Sequence, residues 1–394
     1  MKTLQQSPLD PHFVQNPYAF YDYARAAGPV VFWEDYHMLA AFDAATVQSL
    51  LRDRRLGQAK PEHLKQPFPD HLKAWGLIEA HSMLDMEPPC HTRLRSLVLR
   101  AFTSRRIASL RPDIESVTAE LLNTLPRSGP FDLIPAFCTQ LPVRIIARLL
   151  GVPEEMSADL LGWSNAMVAM YQAGRTRETE DAAERASAAF TEFLTDFIDQ
   201  RRSDPRDDLI TELIAAEEKG ARLSTDELIG TCILLLNAGH EATVHSIGNA
   251  TKVLLDHKTS DNALGPEHIA ATVEELLRFD PPLHIFTRFA YEDVDLGEIT
   301  LKKDQEIALI LGAAGRDPAL YDAPRRFDPN RPAKPHAAFG GGLHFCVGAP
   351  LARLELQIAL PALFSHFPRM RLAALPCFSN SYHFHKLDRL IITP

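Results

Sequence analysis

The stretch from Ser224 to about Leu255 restricts what this chain can fold into more than any other segment. Ser224 and Glu227 have the spacing of a capping box, in which the hydroxyl takes the backbone N–H three residues on and the glutamate reaches back to the serine's own N–H. Leu228 through Leu236 are then apolar on every side of a helical turn, and such a helix has to be wrapped by other elements. The run is too short to cross a bilayer, contains Thr231 and is followed by Asn237, so its surroundings must be protein. A chain of 394 residues that is 46% hydrophobic can supply that core.

Within this helix, Ala238-Gly239-His240-Glu241-Ala242-Thr243 places a glycine and an acid where neither is expected. Mid-helix glycine costs about 1 kcal/mol against alanine. Either the glycine is tolerated and Glu241 faces solvent, or Gly239 relaxes the helix so that a small ligand sits against its backbone.

The rest of the chain reads as one mainly α domain with small β-sheets (α+β) spanning 1–394, without linker, repeat or low-complexity tract. Asn16-Pro17-Tyr18 opens a short helix, and Pro29–Phe32 with Met38–Phe42 form a hairpin in a β-rich region at about 28–60. Residues 55–84 lack a clear period and read as a long irregular connection. A helical core follows at about 88–280. Leu94, Leu97, Val98 and Ala101 make one stripe, and Leu141–Leu150 another that stops at Gly151-Val152-Pro153. Further helices run from about Ala158 to Tyr171 and from Glu180 to Arg201, with Gln172-Ala173-Gly174 between them. Strands return at Phe286–Tyr291, Glu298–Leu301 and Glu306–Leu311.

Five widely spaced cysteines argue for a reducing compartment, and the polar first ten residues contain no signal core, so a cytoplasmic protein with no membrane segment is expected. The net charge of -10 argues against nucleic acid as a partner. Yet Pro88–Pro112 holds Arg93, Arg95, Arg100, Arg105, Arg106 and Arg111 and no acid, a basic face suited to an anionic partner.

Cys346 lies in Phe339-Gly340-Gly341-Gly342-Leu343-His344-Phe345-Cys346-Val347-Gly348-Ala349-Pro350, just ahead of an apolar-periodic segment. Glycines let backbone pack against something flat, and Pro350 belongs to a first helical turn. A thiol at a helix N-terminus is favoured as thiolate, which suits a metal ligand or a nucleophile. The full string, with Leu351-Ala352-Arg353 after it, closely resembles the haem-binding loop of the cytochrome P450 family.

That resemblance implies a P450 fold with haem b between the central helix and the helix after the loop at 339–350, and Cys346 as axial ligand of the iron. It implies that Phe339 shields the sulfur and that Gly340, Gly342 and Gly348 leave room for the macrocycle. His344, His91, Arg95 and Arg288 would hold the propionates. Glu275 and Arg278, three apart on one helix face, would form the family's structural pair with Arg326 as third member. Ala238, Gly239 and Glu241 match the family's oxygen groove, but Ala242 stands where the family has threonine. Thr243 is about 100° further round the helix, so it reaches the groove through a bulge, or ordered water or a substrate hydroxyl replaces it.

The implied activity is monooxygenation of a medium-sized hydrophobic molecule by O2, with electrons from a separate ferredoxin and ferredoxin reductase docking on the arginine-rich face. The alternatives are a peroxide-dependent peroxygenase and a haem sensor without enzymatic activity. A monomer is expected. Leu77, Ile78, Met83, Met167, Met170, Leu235, His284, Ile285 and Phe286 are the expected pocket walls, with His284 available to orient a polar group.

Overall fold

The capping box forms. In the computed structural model, which describes residues 1–172, 175–218, 220–259, 261–381 and 383–394, Ser224 Oγ accepts from the Glu227 N–H while the Glu227 carboxylate accepts from the Ser224 N–H. The helix behind it runs unbroken over Thr225–Asp256. The helices used below are α1 (Lys73–His81), α2 (Cys90–Ala101), α3 (Gln140–Leu150), α4 (Ser157–Val168), α5 (Arg177–Ser203), α6 (Thr225–Asp256), α7 (Ile269–Phe279) and α8 (Ala349–His366). The largest core cluster centres on α6, which packs against α1, α3, α4, α5, α7 and α8.

Strands β1 (Thr3–Leu4), β2 (Val30–Trp33), β3 (Met38–Ala41), β4 (Leu56–Gly57), β5 (Ile285–Ala290) and β6 (Glu306–Ile310) make one sheet. Its order is β1-β2-β3-β6-β5-β4, so the N-terminal hairpin is completed by strands from 250 residues later. β2 and β3 pair antiparallel, β6 joins β3 parallel, and β5 joins β6 antiparallel with Ala308 opposite Thr287. That register sets Arg288 opposite Ile307 and within reach of the Glu87 charge.

Three expectations change. The connection at 55–84 contains α1, with Trp75, Gly76 and Ile78 buried. Its pattern is masked because Gly76 sits on the buried face, where a Cβ would approach the Phe68 ring to 2.7 Å. The arginine-rich segment is also less basic in space than in sequence. Arg93 pairs with Glu227 and Arg106 with Asp207, acids supplied from over 100 residues away. Helix α5 opens at Arg177 behind a Thr176–Thr179 capping box, earlier than Glu180. Of the turn before it, Ala173 and Gly174 lie outside the described residues. Among the described residues no helix is long and apolar enough to cross a membrane.

Candidate active site

Open surface in the middle of a core helix marks an interior space. On α6, Leu234 and Ala242 are half-buried and Ala238 is exposed, spaced i, i+4, i+8 among buried neighbours. On α2 the same spacing carries His91, Arg95 and Leu99, the last 46% exposed. Cys346 is also exposed, yet burial is what pushes its thiol pKa up. A side chain both open and crowded by protein borders an internal hollow. The Ala238 stripe and Cys346 both carry this mark, and we read them as two walls of one hollow.

The loop geometry explains the glycines that matter. Gly340 and Gly342 have φ of 70° and 66°, the left-handed region where a side chain is strained. A Cβ on Gly342 would also collide with the Leu51 backbone. The chain then turns so that the Cys346 N–H donates to the Phe339 carbonyl at 3.0 Å. The Phe339 ring lies under the Arg353 guanidinium, 4.5 Å away. Pro350 sits in the first turn of α8. The Gly348 and Ala349 amides hydrogen-bond to the Cys346 sulfur, and Arg95 and Arg353 add positive charge. Burial nevertheless outweighs all four, so the protein alone holds a thiol. The expected thiolate needs a cation bound to it, as metal ligands generally do.

Around the hollow's rim stand His91, His344, Arg95 and Arg288. The His91 and His344 rings are 4.3 Å apart, and Arg95 Nη2 donates to the Phe345 carbonyl at 2.5 Å. Arg288 is 3% exposed, with Nη1 donating to its neighbour Thr287's carbonyl at 2.7 Å. Burial, with the nearby His344 and Arg95 charges, lowers the His91 pKa to about 4, and its buried Nδ1 has no partner. His344 is bonded to Glu87 Oε1 at 3.0 Å, and Glu87 also accepts the Gln58 N–H at 2.6 Å. Sequence reasoning missed Glu87. It already places one carboxylate in this set, and the orphaned His91 nitrogen calls for another group. A thiol, a glycine cradle and a rim of carboxylate-binding side chains together fit a flat metal macrocycle bearing acidic arms.

On the opposite wall, the Cβ direction of Gly239 points at Ile146 of α3, 3.4 Å away, so this glycine lets two helices approach. The helix has no bulge. Thr243 is buried, and its hydroxyl donates to the Gly239 carbonyl at 3.0 Å. Glu241 is not solvent-facing in the ordinary sense. Its Oε1 accepts from His245 Nε2 at 3.2 Å and lies 3.7 Å from Lys386 Nζ. Burial alone would raise its pKa, but the His245 bond and the neighbouring charges override burial and hold it near 2. It borders a cavity of about 290 Å³ that it lines with His240, His245 and Lys386 inside and with Asn165, Gln172 and Asp388, all exposed, at the mouth.

Glu275 and Arg278 form a bidentate pair at 2.6 and 2.7 Å, both nearly fully buried. The third member is Arg331, not Arg326. Arg331 Nε donates to Glu275 Oε1 at 3.2 Å, whereas Arg326 contributes only its carbonyl and its side chain is exposed. The guanidinium has to reach back over a turn, which the residue five positions later does.

The expected pocket walls divide. Ile78, Met83, Met167, Met170 and Leu235 are buried in the α6-centred core, and Leu77 is 47% exposed. Phe286 packs over Gly340. His284 and Ile285 belong elsewhere. His284 is buried beside Tyr18, Tyr21, Asp280 and His385, and with Ile285 it lines a different cavity of about 100 Å³ under the N-terminal segment. Ile285 alternates with Phe286 along β5 and so faces the other side of the sheet, whereas His284 precedes the strand and is held by Tyr18, Tyr21 and His385.

Comparison with known proteins agrees with this arrangement. The family model "Cytochrome P450" matches residues 267–371. Cytochrome P450 107B1 of Saccharopolyspora erythraea is 43% identical over 297 residues, 75% of this chain and 72% of that protein. Vitamin D(3) 25-hydroxylase of Pseudonocardia autotrophica is 38% identical over 371 residues, covering 92% and 89%. The solved structure of the Bacillus subtilis bacillaene polyketide synthase cytochrome P450 PksS superposes with a TM-score of 0.87 at 32% identity, over 98% of this chain and 99% of that one. With a cysteine loop, rim and central helix of this geometry, the chain belongs to the cytochrome P450 family, haem-thiolate monooxygenases among the oxidoreductases.

Proposed function

We propose that this P450 inserts one atom of O2 into a medium-sized hydrophobic molecule by hydroxylation or epoxidation, as a cytoplasmic monomer using haem b and a separate ferredoxin and ferredoxin reductase. The observation that carries the reading is the Cys346 sulfur, open on its own surface yet crowded by protein and reached by the Gly348 and Ala349 amides. Bound haem supplies O2 activation. Cys346 would hold its iron through the sulfur. His91, His344, Arg95 and Arg288 would bind its acidic arms, with arginine's fork matching a carboxylate. Glu275, Arg278 and Arg331 keep the loop in register behind the sulfur. The arginine-rich face, Arg105 included, receives the acidic electron donor.

Protons have to reach the hollow across α6. At 100° per residue, Glu241 lies on the edge between the stripe of Ala238 and Ala242 and the stripe of His240 and Val244 that lines the wet cavity. Its carboxylate takes protons from cavity water and passes them inward. His245 supports it. Burial lowers the His245 pKa, so the neutral ring donates through Nε2 to Glu241 and leaves Nδ1, buried and unpartnered, to accept from a cavity water. With alanine at 242 and the Thr243 hydroxyl spent on Gly239, the last donor is an ordered water or a hydroxyl of the substrate.

Ala242→Thr tests this. Restoring a hydroxyl on the hollow-facing stripe should raise product formed per electron pair for substrates lacking a hydroxyl, and Glu241→Gln should lower it at least tenfold in rate. Equal coupling in all three proteins would refute the route. Turnover with ferredoxin but not with peroxide alone separates monooxygenase from peroxygenase.

A further inference from the structure

Glu79 is an acid that the reading above does not use. It lies four residues after Trp75 on α1, on the same helix face. Tyr171, just past the end of α4, donates its hydroxyl to Glu79 Oε1 at 2.7 Å. The Tyr171 ring is 6.3 Å from the Trp75 ring and tilted 54° to it, and Phe68 closes on Trp75 at 5.1 Å. Two segments far apart in sequence thus bring a carboxylate and three aromatic rings together.

The pair has the same signature as Cys346. Tyr171 keeps 36% of its surface open and Glu79 is half-buried, yet burial pushes the phenol well up and the carboxyl to about 7. Open side chains so closely surrounded by protein face interior space. Besides the Tyr171 hydroxyl, the other charge acting on Glu79 is Asp85, a second acid, which in turn is close enough to His344 to feel its charge. Among the described residues no lysine, arginine or histidine forms an ion pair with Glu79. A crowded carboxylate without a counter-charge is costly. Aromatic faces beside an acid form the chemistry that attracts an ammonium ion.

We propose that the substrate carries a positively charged aliphatic amine, and that Glu79 with the ring of Tyr171, which Trp75 backs from the core, receives it at the edge of the hollow while an apolar part lies toward Cys346. The assignment rests on the hollow being the substrate pocket of a P450. Tyr171 holds Glu79 in place when no ligand is there, tying α1 to the end of α4. An arriving cation supplies the missing counter-charge. A ligand with a carboxylate is repelled by Glu79 and Asp85.

The test uses the holoenzyme and two probes of equal shape, a decyltrimethylammonium ion and its uncharged tert-butyl isostere, titrated by calorimetry with the haem spin-state shift recorded on the same samples. A quaternary nitrogen has no lone pair for iron. The wild-type protein should bind the ammonium about tenfold more tightly, Glu79→Gln should erase the preference, and Tyr171→Phe should keep it. Equal affinities for the two probes in the wild-type protein, or a preference that survives in Glu79→Gln, would overturn the proposal. Should Glu79→Gln lose haem, the wild-type comparison decides alone. Failure of the P450 reading shows separately, as a missing thiolate-type Soret band in the reduced carbon monoxide complex.

Discussion

Arg331 and Arg326 offer a direct test of what holds the cysteine loop. Arg331→Ala removes one charge-assisted bond, Nε to Glu275 Oε1 at 3.2 Å, between side chains 11% and 3% exposed. It also removes bonds to the carbonyls of Asp322, Ala323 and Arg326, but these lie where water can replace the guanidinium. Glu275 retains Arg278 and the Asp328 N–H at 2.9 Å. The cost is therefore that of the single buried charge-assisted bond, about 1.5 to 3 kcal/mol. Arg326→Ala keeps its carbonyl and trims an exposed side chain, so it should fall within about 0.5 kcal/mol. Glu275→Gln is more severe, since it leaves the Arg278 and Arg331 charges facing a neutral amide, at about 3 to 5 kcal/mol. Urea unfolding followed by helical circular dichroism gives the three midpoints, and the carbon monoxide complex reports whether the loop still presents its sulfur. The expected order of destabilisation is Glu275→Gln, then Arg331→Ala, then Arg326→Ala near wild type. If Arg326→Ala costs as much as Arg331→Ala, the assignment of the third member is wrong.

Other outcomes follow from the same site. Cys346→His should abolish the strongly red-shifted Soret band of the reduced carbon monoxide complex; an imidazole-type spectrum in the wild-type protein would refute thiolate ligation. Glu355 of α8 is buried and its pKa is pushed up to about 8 by burial. The folded protein therefore holds a proton that the unfolded chain releases above about pH 4.5, so this group weakens the fold as pH rises toward 8, by about 1.4 kcal/mol per pH unit. Glu355→Gln should gain about 2 to 3 kcal/mol over wild type between pH 5.5 and 7.5, and a pH-independent difference would refute that. Glu241 behaves oppositely. Held near 2, it contributes stability that is complete above its ordinary value of 4.5 and is lost as pH falls through 2, so acid unfolding of Glu241→Gln should be less steep than that of wild type.

How much the sequence revealed depended on whether a residue's partner was local. The Ser224–Glu227 box and the Glu275–Arg278 pair are three-residue relations, and the structure has both. The glycines of the cysteine loop were legible as a set because positive φ restricts what can stand there. Long-range partners were not. Arg331 meets Glu275 across 56 residues, Glu87 meets His344 across 257, and Glu79 meets Tyr171 across 92. His284 was misplaced for a related reason. It precedes β5, and the rings that hold it, Tyr18, Tyr21 and His385, come from distant parts of the chain.

The same reasoning bears on Gly239, where position alone suggested a groove for a ligand. Space at a glycine can be filled from outside the helix, and here Ile146 fills it. In the proposed reading the ligand-facing surface is then made by Ala238 and Ala242, both singled out in the sequence, and their openness in mid-core is what points to the hollow. If Gly239 serves helix contact, Gly239→Ala sets a Cβ 3.4 Å from the Ile146 side chain, at the near limit of ordinary contact, so the gain of about 1 kcal/mol in helix propensity should largely appear as stability, and Ile146→Val should change it little further. If Gly239 served the ligand, the spin-state response to substrate would be lost in Gly239→Ala whatever its stability. Stability measured beside the substrate-induced spectral shift therefore tells a packing glycine from a binding one.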